Sequence, residues 1–365
     1  MKVLNITHFG SLTNYGELLQ AYALQTALRS LRHDAVLLRA SFSLHNQLRK
    51  WYKSPLNACR AWLTHRAALR DENRHPRDFA GFIARNMKAT EEVFHTHREL
   101  LRADLKADAL ITGSDQVWSS KRPFPPYFLD FGPKDALRIS YAASVGSKAR
   151  FGEDYLRDFA ARLRRFSAVS VRETEALEQC RRAGSPRAVL VPDPVLLLEA
   201  DHYRKRFFSP ELLPEKPFCL IYLVSCRNFP WEEVCRHAQT RGEEPVVVCS
   251  QRSTVPKGVE KTARVVYPDL PQWLTLIDRA RLTITDSFHG TLVSLLFGTA
   301  PAVVRKNSHD ARFDTLFSHF PSARREWREL FFGGGDAPDF PAIHEKMRSL
   351  REIGFAFLRD ALPEK

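Results

Sequence analysis

The stretch TDSFHGTLVSLLFGTAPAV, residues 285–303, places a single histidine between a strand-like run and a helix-like run. Just upstream, RARLTIT (279–285) ends in alternating apolar residues, the pattern of a short strand. Downstream, GTLVSLLFG spaces its apolar residues as a helix does, with Gly290 at its start and Gly298 near its end. Ser287, His289 and Gly290 therefore belong to a strand-to-helix junction. In doubly wound sheets that junction binds ligands, because free N–H groups and the helix dipole favour anions there. A helix cap beside an incidental histidine is the plainer alternative for this segment taken alone.

The same strand–helix alternation extends outward. KVLNITHF (2–9) reads as a first strand, followed by the loop GSLTNYG and a helix through ELLQAYALQTALRSL (17–31). DAVLLRA (34–40), ADALITGSDQVW (107–118), RISYAASVGS (138–147), FSAVSVRE (166–173) and AVLVPDPVLLL (188–198) each predict a strand, several of them running into polar residues. Residues 44–100 are mostly helical in pattern and interleave Arg and His with Trp51, Tyr52, Trp62, Phe79 and Phe82. HYRKRFFSPELLPEKP (202–217) carries three prolines and no clear period, and reads as a linker. After it FCLIYLVS (218–225), EPVVVCS (244–250), ARVVYPD (263–269) and APAVV (300–304) resume the alternation. The expectation is an α/β protein of two Rossmann-like domains with a cleft between them. The first spans 1–201 with a helical insertion near 44–100, and the second spans 218–365.

Composition agrees with that scheme and narrows the function. A chain of 365 residues exceeds one ordinary compact core. No apolar run approaches the length of a membrane span, and MKVLNITHFG begins as a strand rather than a signal peptide. Six scattered cysteines without CxxC or Cys/His metal spacing predict reduced thiols, a cytoplasmic location and no metal site. The net charge of +13 suits an anionic partner: nucleic acid, a membrane surface or a small polyanion. Without zinc-finger spacing, an RNP-like motif or a basic region joined to heptads, nucleic acid is disfavoured. Arginine-rich coding bias is the partner-free explanation.

Several loop ends point to one cleft. Asn14, Tyr15 and Gly16 close the first strand–helix turn, where glycine lets a ligand approach the backbone. Ser114 and Asp115 follow the ALIT strand, where turn chemistry competes as an explanation. Arg172 ends another strand and can grip a carboxylate or phosphate through two hydrogen bonds, with a surface ion pair to Glu173 or Glu175 as its alternative. Asp193, before Pro194, reads as structural, fixing a turn. Arg305 and Lys306 follow APAVV and would rise beside His289, or form a solvated basic turn. A Ser–His–Asp hydrolase is excluded, since Ser287 and His289 lie too close in sequence and no GxSxG elbow exists.

In order along the chain, NYGELLQAYALQ (14–25), GSDQVW (113–118), YAASVG (141–146), SVRE (170–173), DPVLLL (193–198) and SFHG (287–290) resemble the polysaccharide pyruvyl transferase family. The resemblance runs from about residue 3 to about residue 320. It implies a GT-B-like fold and the transfer of pyruvate from phosphoenolpyruvate to a sugar of a surface polysaccharide or its lipid-linked precursor, typically as a ketal. Glu17 stands where alanine is frequent and Val145 where phenylalanine is, the former nearest the acceptor side of the cleft.

On that basis His289 is the expected proton donor and Arg172 its catalytic companion. Ser287, Gly290, Arg305 and Lys306 are expected to hold the donor, and Asn14, Tyr15, Gly16, Ser114 and Asp115 to line the acceptor cleft. Phosphoenolpyruvate is a substrate and no cofactor is expected. A nucleotide-sugar-dependent glycosyltransferase with the same cleft is the competing enzyme. A noncatalytic membrane-surface or scaffold protein using the basic aromatic segment is the competing binding module, and that segment is also the basis for an expected peripheral membrane contact.

Overall fold

The computed structural model describes residues 1–8, 14–42, 77–119, 124–146, 151–224, 229–249, 258–305, 309–333 and 336–363. Two parallel sheets organise the chain. The first has the order β2-β1-β3-β4-β5-β6, built from β1 (Lys2–Ile6), β2 (Asp34–Leu37), β3 (Ala109–Thr112), β4 (Leu137–Ala143), β5 (Ala168–Val171) and β6 (Val189–Leu190). The second has the order β11-β10-β7-β8-β9, from β7 (Phe218–Tyr222), β8 (Glu244–Val248), β9 (Arg264–Val266), β10 (Leu282–Thr285) and β11 (Ala300–Val303). Central strands such as β3 and β10 are buried along their whole length, as expected where helices cover both faces of a parallel sheet.

The strand orders place the cleft. In the first sheet the chain goes from β1 outward to β2 and returns to the other side at β3. In the second it leaves β7 toward β8 and β9 and returns at β10. The reversals lie between β1 and β3 and between β7 and β10, and ligands bind at such switch points, beyond the strands' carboxyl ends. The segments emerging there are residues 7–8 and 113–116 in one domain and 223–224 and 286–290 in the other.

Two helices carry the junctions. α1 (Tyr15–Ser30) starts at Asn14, whose side chain accepts from Gly16 and Glu17 N–H groups, the usual reason for asparagine before a first turn. Among the helices of the second domain, the one over the opening stretch, Phe288–Phe297, is buried at every position. Ser287 caps its start, and Gly298 ends it at φ 80, a left-handed conformation that glycine adopts without strain. A helix buried at every position must be covered on every side. The second sheet, the first domain and the C-terminal helix together supply that cover. Tyr15, Leu18, Leu19 and Tyr22 share one continuous apolar core with Trp273, Phe288, Leu292 and Leu296.

Two boundaries differ from the sequence expectation, and a third segment is described only in part. The segment 202–217 is not linker throughout, since Ala200–Phe207 is a helix, with Tyr203 and Phe207 buried as apolar anchors. The second domain does not keep the chain to its end. The helix Phe340–Ala361 returns to the first domain, where Leu358 and Ala361 join Val3, Leu24 and Tyr141 in a core. Within 44–100, residues 43–76 lie outside the described residues, so the basic residues beside Trp51, Tyr52 and Trp62 do too. The described remainder holds helices Phe79–Asn86 and His97–Arg102, and Phe79 and Phe82 serve as core. No helix among the described residues is long and apolar enough to cross a membrane.

Candidate functional site

Where the two switch points face each other, four separate segments meet at Arg172: 114–115, 172–173, 193 and 288–289. Its Nη1 donates to Asp193 Oδ2 at 2.6 Å and to Ser114 Oγ at 3.1 Å, and its Nε donates to Glu173 Oε1 at 3.2 Å. Ser114 Oγ in turn donates to the same Asp193 oxygen at 2.9 Å. The guanidinium lies 4.5 Å from the ring centre of Phe288, so a residue of the second domain forms its face. Arg172 Nη2 is buried without a hydrogen-bond partner.

His289 completes the cluster from the second domain. Its Nε2 is 3.4 Å from Asp193 Oδ2 but makes no aligned hydrogen bond, so the pairing is electrostatic. Burial alone would raise the Asp193 carboxyl, but the His289 imidazole and the Arg172 guanidinium beside it hold it below the usual carboxylate range. Burial would likewise raise Asp115, and Arg172, His289 and His8 bring it down. Glu173 goes the other way: fully buried, its carboxyl is pushed up despite Arg172. Burial disfavours the charged form of Arg172, yet Glu173, Asp193 and Asp115 more than compensate. The cluster thus keeps an ionised aspartate against an imidazole, with a guanidinium fixing the aspartate's position.

Several expected roles change. The close approach that Gly16 permits is to His289 rather than to a ligand. A β-carbon there would lie 2.8 Å from His289 Cβ and closer still to the ring. Tyr15 is an anchor between domains and lines no cleft. It is buried, donates to the Pro268 carbonyl at 2.6 Å and stacks on Trp273 with ring centres 5.0 Å apart. Asn14 caps α1 and donates to Glu17 Oε1 at 2.8 Å. Ser287 and Gly290 spend their groups on each other, the Gly290 N–H donating to Ser287 Oγ at 3.2 Å. The first-turn N–H groups of Phe288 and His289 remain without intrahelical acceptors. Arg305 follows β11, next to β10, and donates to Asp314 Oδ1 at 2.8 Å. Lys306 lies outside the described residues.

Arg172 does pair with Glu173, but this is no surface ion pair, since both are buried. Asp193 is more than a turn-former. Its Oδ1 accepts from the Val195 N–H at 3.0 Å, as a turn requires, while Oδ2 serves Arg172, Ser114 and His289. Sequence spacing carries no signal for this second role. Phe288, His8 and Tyr127 were also missed: the His8 and Tyr127 rings lie 4.9 Å apart beside Asp115 and Gln116, and His8 Nε2 is 3.2 Å from the Gln116 carbonyl.

Comparisons with known proteins fit this geometry. The chain is similar in structure to a UDP-N-acetylglucosamine 2-epimerase from Rickettsia bellii, with TM-score 0.54, 10% identity and 98% of each chain covered. It is also similar to S. aureus MnaA in a co-structure with UDP, with TM-score 0.52 and 12% identity over 100% of this chain and 99% of that one. A third, the Methanocaldococcus jannaschii UDP-GlcNAc 2-epimerase in complex with UDP-GlcNAc and UDP, gives TM-score 0.50 at 12% identity over 99% of both. At such identities the likeness is one of fold, and that fold is GT-B. A comparison with curated proteins finds no match. The sequence profile of the polysaccharide pyruvyl transferases matches residues 14–309, which include Ser114, Asp115, Arg172, Glu173, Asp193, Phe288 and His289. By that match the chain belongs to the polysaccharide pyruvyl transferase family.

Proposed function

We propose that the protein transfers pyruvate from phosphoenolpyruvate to a sugar of a surface polysaccharide or its lipid-linked precursor, forming a ketal and releasing phosphate. Family membership supplies the reaction class. The observation that carries the assignment of residues is the buried His289–Asp193 pair, held by Arg172 and Ser114 between the domains.

Ketal formation begins with a proton added to the methylene carbon of the donor, which leaves a cationic carbon for a sugar hydroxyl to attack. His289 is the proton donor. Asp193 Oδ2 lies 3.4 Å from its Nε2, and a positioned acid of this kind accelerates a reaction by ~10²–10⁴-fold. Arg172 holds Asp193 through Nη1 and offers Nη2 to the donor. Arg172 is already engaged by the carboxylates of Asp193 and Glu173 and lies near that of Asp115. Extra attraction for the anionic donor must therefore come from the helix N-terminus at Phe288–His289 and from Arg305 with Lys306. One hydroxyl proton leaves with phosphate and the other needs a base. Neither step calls for a cofactor.

The test follows inorganic phosphate released from phosphoenolpyruvate in the presence of saccharide acceptors, with nucleotide sugars as the control donors. Phosphate release that depends on the saccharide supports pyruvyl transfer. Nucleotide release with no consumption of phosphoenolpyruvate identifies a glycosyltransferase instead.

A further inference from the structure

We propose that Asp115, Glu17, His8 and Tyr127 form a saccharide subsite on the first domain, in which Asp115 takes the proton of the first attacking hydroxyl. This rests on the pyruvyl-transfer assignment for its chemistry, though not for its geometry. The four residues come from the end of β1, the first turn of α1, the loop after β3 and the short helical turn Pro125–Phe128. Asp115 Oδ1 is 4.0 Å from Arg172 Nη2, which is buried and unpartnered on a residue only 5% exposed. Tyr127, 7% exposed, has a hydroxyl without a hydrogen bond among the described residues, and burial, with the nearby Glu17 and Asp115 carboxylates, pushes its phenol up. The Tyr127 hydroxyl therefore stands at this corner without a hydrogen bond among the described residues, and Arg172 Nη2, across from Asp115, marks its boundary with the donor side.

The chemistry of the corner suits a neutral, hydroxyl-rich ligand. Two carboxylates accept O–H bonds, and the phenol and imidazole can donate or accept. The same carboxylates repel an anion, so the donor is confined to the side of His289, Arg305 and the helix N-terminus. Asp115 is also fixed with unusual care. It holds φ 75, a conformation costly for a residue other than glycine, while its carbonyl accepts from Val117 at 2.7 Å and Ser144 at 3.0 Å. Its carboxylate is held too, since Oδ1 accepts from the Gln116 N–H at 2.8 Å.

The proton count then closes. His289 gives a proton to the methylene carbon, whose double-bond pair receives it. The hydroxyl oxygen forms its bond to the cationic carbon as its O–H bond breaks toward Asp115. The carbon–oxygen bond to phosphate breaks with its electron pair as the second hydroxyl adds, and that hydroxyl's proton leaves with phosphate. Asp115 returns its proton to His289 through solvent. A carboxylate held below its usual range is a weak base, so it acts once bond formation has made the hydroxyl acidic.

The probes are the methyl glycosides of glucose, galactose and mannose, followed by saturation-transfer NMR, with phosphoenolpyruvate binding followed by calorimetry. The wild type should bind at least one glycoside. Tyr127→Phe and Asp115→Asn should each weaken it by about threefold to tenfold, the scale of one hydrogen bond, with donor affinity unchanged or tighter. Asparagine tolerates the left-handed backbone at 115, and Tyr127→Phe carries the test should Asp115→Asn misfold. No glycoside binding by the wild type overturns the subsite. So does loss of phosphoenolpyruvate binding in Asp115→Asn with glycoside binding kept. Glycoside binding that depends on these residues, without phosphate release from phosphoenolpyruvate, leaves the subsite standing and removes the pyruvyl-transfer assignment.

Discussion

Gly16 of the first domain lies directly against His289 of the second, so closely that a β-carbon at position 16 would overlap the imidazole ring. The histidine's position is thus set from across the interface. Gly16→Ala should displace His289 and cost about 1–3 kcal/mol, the usual scale of overpacking. Urea unfolding and phosphate release measured together check this. Wild-type stability with wild-type turnover would show that the ring has room to move.

Asp193 links charge to stability. With its carboxyl held below the usual value, mainly by His289 and Arg172 working against burial, it contributes stability at and above about pH 4, the ordinary range for an unfolded aspartate. That contribution falls away as pH drops toward the folded value. Asp193→Asn should cost about 3–5 kcal/mol near neutrality, because Arg172 and His289 lose their counter-charge. Unfolding at several pH values should show the gap between wild type and variant narrowing only below about pH 4. A gap independent of pH down to strong acid contradicts the pairing.

Arg172→Lys keeps the charge but loses the planar donors to Glu173 and Asp193. Each charge-assisted bond is worth about 1.5–3 kcal/mol. Lysine should therefore lower both stability and the rate of transfer, the latter because Asp193 drifts from His289. An unchanged kcat/KM for phosphoenolpyruvate would reduce Arg172 to packing.

Tyr15 predicts the opposite pattern. Tyr15→Phe removes the bond to the Pro268 carbonyl and keeps the stacking on Trp273, for a loss of about 0.5–1.5 kcal/mol. Activity per folded molecule should hold. A variant of wild-type stability that cannot transfer pyruvate would instead put Tyr15 in the chemistry.

The alternation of buried strands and amphipathic helices was legible because parallel sheets force it: ALIT at 109–112 and LTIT at 282–285 are apolar or small at every position and lie at switch points. His289, Arg172, Ser114 and Asp115 could be picked out because polar residues directly after such strands reach a common edge. Asp193 could not. Its local role in the turn before Val195 accounts for its presence, and its second carboxylate oxygen meets Arg172 only through tertiary packing. The return of the C-terminal helix was hidden for a similar reason. Its amphipathic pattern requires an apolar partner without saying which, and Gly354 fits because a side chain there would strike Tyr141 and Leu197 of the first domain.

The most direct test of the account is phosphate release from phosphoenolpyruvate by His289→Ala, in the presence of an acceptor that the wild type uses. The account predicts that donor binding survives in calorimetry while release falls by ~10²–10⁴-fold, the usual contribution of a general acid. Release at the wild-type rate from the folded variant would contradict it.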